Sequence, residues 1–106
     1  MANGVLGAND LAAATDTIVY TVPADHFAVI TINVVNRGAS TATVRVALAE
    51  NNTPSNAEYI EYEAQVLPGG VLERTGVVVE ADRNVIVRAS AASTGVMIYG
   101  LETSTA

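Results

Sequence analysis

No cysteine, tryptophan or lysine occurs among the 106 residues, and there is one histidine, one phenylalanine and three prolines. Without cysteine, neither a disulfide framework nor a thiolate metal site is available, so stability has to come from packing. A lone histidine with no cysteine cannot build a typical zinc site. The longest apolar run, Phe27 to Val35, is broken by Thr31 and Asn33. That is far short of the ~20 residues needed to cross a bilayer. No cationic segment followed by an apolar stretch and small residues opens the chain, as a secretory leader would. The expectation is a soluble protein with no membrane partner.

What is present is aliphatic. Half of the residues are apolar, and they are mostly valine, alanine, isoleucine and leucine. Small branched side chains suit the narrow gap between two packed sheets. The length fits one domain with enough interior to fold unaided. The formal charge is −6, and the five cations are all arginine: Arg37, Arg45, Arg74, Arg83 and Arg88. Nucleic-acid binding draws its affinity from clustered cations at the phosphates. Sparse arginines among eleven carboxylates argue against DNA or RNA as a ligand.

Along the chain, residues 1–16 mix Gly, Asn and Ala with isolated aliphatics and show no period. They read as an irregular lead-in, or as an arm that orders against a neighbouring subunit through Val5, Leu6 and Leu11. From Thr17 the strand signals begin. Ile18, Tyr20 and Val22 share one phase, and Pro23-Ala24-Asp25 makes a turn. Phe27 to Asn36 is the longest strand, with Ala28, Ile30, Ile32 and Val34 on one face. Val44, Val46 and Leu48 point inward in the next strand, with Arg45 outward. Tyr59 to Tyr62 follows a polar loop, and Pro68-Gly69-Gly70 is a turn. Gly76 marks a bulge or a close backbone approach. Val77 to Glu80 and Asn84 to Ala89 read as a hairpin, and Gly95 to Glu102 closes the domain. The fold class is all-β, an antiparallel β-sandwich or jelly roll of seven to eight strands. Residues 17–102 are the single sandwich domain, and 103–106 form a polar tail.

Candidate chemistry is thin. His26 follows a turn and lacks a nucleophile in reach of its sequence neighbours. Glu58, Glu61 and Glu63 straddle a strand and could supply half of a glycosidase pair, but such carboxylates more often form a solvated face that blocks edge pairing. Glu80, Asp82 and Asn84, or Glu50, Asn51 and Asn52, offer oxygen ligands for calcium, without the spacing of a twelve-residue calcium loop. Tyr20, Tyr59, Tyr62 and Tyr99 would serve sugar stacking if exposed. Tyr20 and Tyr62 instead fall in phase with core aliphatics. No catalytic, cofactor-binding or metal residue is assigned. Glu73, Arg74, Arg88 and Arg37 are candidate interface residues, because an arginine fork pairs bidentately with carboxylates at subunit contacts. Ordinary surface pairs are the alternative.

Several ordered fragments resemble a group of small virion structural proteins of tailed phages, many of them marine or cyanobacterial. "DTIVYTVPADHFAVITINVVNRG", Asp16 to Gly38, is similar to their opening, and "YIEYEAQVLPGGVLERTGVVVEADRNVIVRAS", Tyr59 to Ser90, to their second half. Tyr99-Gly100-Leu101-Glu102 also fits their ending. None of these fragments carries chemistry. The resemblance implies a β-sandwich on a virion, on the head, neck, baseplate or tail fibre. The lack of coiled-coil heptads speaks against a fibre shaft. The acidic charge suits the outside of a shell rather than a surface facing DNA. The expectation is a capsid decoration (cement) protein on the outer capsid surface, bound to the major capsid protein or another virion protein. Homo-oligomerisation is expected, with a trimer at a local three-fold as the natural closed form. A glycan-binding sandwich and a neck or baseplate fitting are the alternatives.

Overall fold

Eight strands make up most of residues 3–105, the part of the chain described by the computed structural model. They are β1 (Asn3–Leu11), β2 (Thr17–Thr21), β3 (His26–Asn36), β4 (Ala42–Ala49), β5 (Tyr59–Val66), β6 (Val71–Val79), β7 (Asn84–Ala89) and β8 (Thr94–Ser104). A single 3₁₀ turn, Asn56–Glu58, lies between β4 and β5. The first strand pairs with the last, β2 with β7, β3 with β6 and β4 with β5, all antiparallel. The β3·β8 and β4·β7 ladders complete two four-stranded sheets. We call β1-β8-β3-β6 the front sheet and β2-β7-β4-β5 the back sheet. One eight-strand ribbon, paired end to end and wrapped into two layers, is the jelly roll.

The core follows from the alternation of side chains. Ala28, Ile30, Ile32 and Val34 of β3, with Val96 and Ile98 of β8, face Val44 and Val46 of β4 and Val85, Val87 and Ala89 of β7. Burying each Val or Ile side chain contributes about 1.5–3 kcal/mol. Leu11, Tyr20, Val22, Val66 and Val79 fill the ends of the layer.

Three expectations are corrected. Residues 3–11 are not an arm: they form β1, an edge strand paired with β8 from Asn3 to Leu11. Leu11 is buried in the core and Leu6 packs against it, so neither anchors to a neighbour. Backbone pairing supplies the cohesion there, which glycine-rich composition does not reveal. The last strand runs to Ser104, so part of the supposed tail is sheet. Residues 1, 2 and 106, which the arm and tail also took in, lie outside the described residues. Finally, β6 and β7 do not form a hairpin. They lie in different sheets, and only β4 and β5 are consecutive strands within one sheet.

Candidate functional site

Two outer faces, with unlike chemistry, carry what this fold offers to a partner. On the front sheet the cross-strand register builds four rows of outward side chains. Leu101, Val29 and Val78 share one row, and Val5, Tyr99 and Thr31 the next. Ala8, Met97, Asn33 and Glu73 follow, then Asp10, Gly95, Val35 and Val71. Val78 is 65% exposed and Met97 44%. Val5, Val29, Val71 and Leu101 are exposed as well, so six of the nine large apolar side chains exposed among the described residues gather on this sheet. Monomers rarely leave an apolar surface of this extent uncovered. Gly95 and Ala8 leave a shallow groove of about 550 Å³, bounded by Asn33, Val35, Arg37, Met97 and Tyr99. Charge is sparse: Arg37 Nη2 donates to Asp10 Oδ1 at 2.7 Å, and the Tyr99 hydroxyl donates to Glu73 Oε2 at 3.4 Å.

The back sheet presents arginine and tyrosine. Arg45 and Arg88 stand directly opposite each other on β4 and β7, a juxtaposition of like charges that by itself destabilises a sheet. Carboxylates flank them: Arg45 Nε donates to Glu63 at 2.9 Å, and Arg88 lies 3.6 Å from Asp16. The hydrogen bond to Glu63 raises the Arg45 pKa further, keeping that charge fixed. The Arg45 guanidinium also sits 4.5 Å from the centre of the Tyr62 ring. Tyr62 in turn meets Tyr59 edge to face at 5.0 Å.

This cluster depends on irregular backbone. Register shifts interrupt the β4·β5 ladder around Val46, and Glu63 has a left-handed φ of 54°. The bulge breaks the two-residue alternation and turns Tyr62 outward, to 60% exposure. The expectation that Tyr62 packs in the core is thereby corrected, whereas Tyr20 is buried as its phase implies.

Of the sequence candidates, Val5, Arg37 and Glu73 come together on the front face. Arg74 instead reaches from β6 to Glu61 of β5 at 2.8 Å, bridging the sheet edges, and Arg88 belongs to the back face. The exposed partners Val29, Val78, Met97 and Leu101 were missed. Their signal was present: β3 and β8 carry aliphatics in both phases, the mark of a strand covered on both faces.

The remaining candidates have other partners. His26 Nδ1 lies 2.9 Å from the Ala24 carbonyl oxygen. Glu58, Glu61 and Glu63 are each engaged by a different arginine. Glu50 and Glu80, one from each calcium candidate, both pair with Arg83, so a guanidinium occupies the place between them. Among the described residues no group of three or more His, Cys, Asp or Glu side chains is arranged to hold a metal ion. Nor, among the described residues, is any helix long and apolar enough to cross a membrane. No protein-family model matches the chain, and no curated protein matches it in sequence.

Proposed function

We propose that this chain is a non-enzymatic structural protein of a phage virion, a capsid decoration protein on the outer shell that bridges capsomers. One observation carries the reading: a rigid jelly roll displays two broad outer faces of different chemistry, one apolar and nearly neutral, the other built from arginine and tyrosine. A bridging protein needs two such faces. Tyrosine and arginine are, with tryptophan, the residues enriched where protein interfaces concentrate their binding energy. We assign the Arg45–Tyr62 face to the major capsid protein or another virion protein, with neither nucleic acid nor membrane as partner. Many modest contacts repeated over a lattice hold firmly through multivalency. The sequence resemblance to small virion proteins, and the use of jelly rolls in capsid and lectin domains, support the reading.

A second reading, a glycan-binding module, is favoured by the exposed Tyr62. Arg45 already covers the Tyr62 ring, which leaves less of it for a sugar. Immunogold labelling of the source particles tests the proposal. Label spread over the heads is the expected result, and label at one end moves the protein to the neck, baseplate or fibre. Unlabelled particles overturn the virion reading. Arg45→Glu is expected to weaken binding to isolated shells by roughly tenfold or more, while a specific sugar affinity lost in Tyr62→Ala would favour the glycan reading.

A further inference from the structure

We infer that the outer face of the front sheet is where two copies of this chain meet, packed sheet against sheet as a two-fold dimer. The inference stands apart from the virion reading.

Size comes first. Strands of nine to eleven residues, at ~3.3 Å per residue and ~4.8 Å between strands, give the face an area of roughly 600 Å². Two copies would bury about 1,200 Å², which reaches the lower bound for a stable, specific interface. The side chains are of the kind that the protein already packs between its own two sheets.

Charge permits a second copy as the occupant. The chain carries −6, so two copies repel each other wherever their acidic surfaces approach. Among the described residues this face holds Asp10, Glu73 and Arg37 as its charged side chains, for a net charge of −1. On so weakly charged a surface a second acidic copy can settle at little electrostatic cost. Glu73 has no cation against it among the described residues, and Arg37 is half exposed, so each copy offers an anion and a cation to the other.

Relief offers both a projection and a hollow. Met97 and Leu101 project, while Gly95 and Ala8 leave a hollow on the same face. A patch that meets itself closes as a two-fold pair, whereas a three-fold ring needs two different patches on each chain.

Sedimentation velocity on the full chain, over a range of concentrations, tests this. The wild type is expected to sediment at twice the mass of one chain. Met97→Glu should weaken the dimer by roughly tenfold or more, because it buries a charge on each side of the axis. Gln65→Glu adds the same charge to the back sheet and should leave the dimer intact. Leu101→Gln, a milder change at an exposed site, decides the matter if Met97→Glu does not give a wild-type circular dichroism spectrum. A monomeric or trimeric wild type overturns the inference. So does a dimer that persists in the folded front-face variants, or one that Gln65→Glu disrupts equally.

Discussion

Asn36, at the end of β3, faces Thr94 of β8, and both side chains are closed off from solvent. The Asn36 amide is fully employed. Its Nδ2 donates to the carbonyls of Ser40 at 2.8 Å and Val66 at 2.9 Å, and its Oδ1 accepts from the Gly38 N–H at 2.9 Å. The Thr94 hydroxyl has no hydrogen-bond partner. These neighbours should therefore respond oppositely to substitution. Asn36→Ala strands up to three backbone groups and is expected to cost about 2–4 kcal/mol. Thr94→Val keeps the branched shape, removes an unpaired hydroxyl and should stabilise by about 1 kcal/mol. Urea denaturation measures both, and a Thr94→Val protein less stable than wild type would reveal a partner for that hydroxyl. From sequence, Asn36 is legible only as the last residue of a strand. Its role is invisible there because the Val66 carbonyl it satisfies is thirty residues away.

The connection between β4 and β5 shows what sets the order of an element that lacks a core of its own. Glu58, in the 3₁₀ turn, accepts from the backbone N–H of Ser55 at 2.9 Å and of Glu50 at 3.1 Å. Arg83, from the β6–β7 turn, donates to the same carboxylate at 3.0 Å and to the Leu48 carbonyl at 3.1 Å. The two backbone hydrogen bonds, with the Arg83 charge behind them, hold the Glu58 carboxyl below the usual glutamate range. A carboxylate depressed in the fold stabilises it above its unfolded pKa, near 4.3, and this contribution is lost as pH falls through the folded value. Glu58→Gln should therefore lose stability at neutral pH and flatten the acid limb, so that the gap to wild type narrows below about pH 4. A constant gap from pH 7 to pH 3 would contradict this. Elements were unevenly readable in the sequence. β7 was delimited at both ends because its turn residues are distinct, and β3 to within one residue, His26, because its aliphatics alternate. β1 was not, since Gly4 and Gly7 remove the pattern, and Gly7 is required by fold: a Cβ there would overlap the Val19 backbone oxygen. The bulge that exposes Tyr62 has no local signal either, because it arises from the mismatch of two strands.

For the whole molecule, composition declared two sheets, but not that nearly every connection crosses from one to the other. A turn looks alike whether its flanking strands pair or part, and the wrapping is fixed only by which aliphatic faces meet. Tyr20 is one place where the layers are tied by more than packing. It rises from β2 of the back sheet, and its hydroxyl donates to Glu102 of β8, in the front sheet, at 2.6 Å. Burial first, then the hydrogen bond and charge of Glu102, raise the Tyr20 pKa well above its ordinary value. A phenol raised in the fold contributes stability that is complete below the unfolded value, near 10. That contribution is lost as pH climbs from there through the folded pKa. The composition makes this loss easy to see, for with no lysine or cysteine the side chains left to titrate in the alkaline range are tyrosines. Tyr20→Phe should be less stable than wild type by about 1 kcal/mol at pH 8, having lost one hydrogen bond between the sheets. As pH rises past ~10 the wild type must either keep a proton that the unfolded chain releases or ionise a phenol beside a carboxylate. The wild-type advantage should then shrink, and the alkaline limb of the variant should be the flatter one. Denaturation at a series of pH values from 8 to 11 reads both slopes. Parallel alkaline limbs would show that the Tyr20–Glu102 contact does not join the layers in solution.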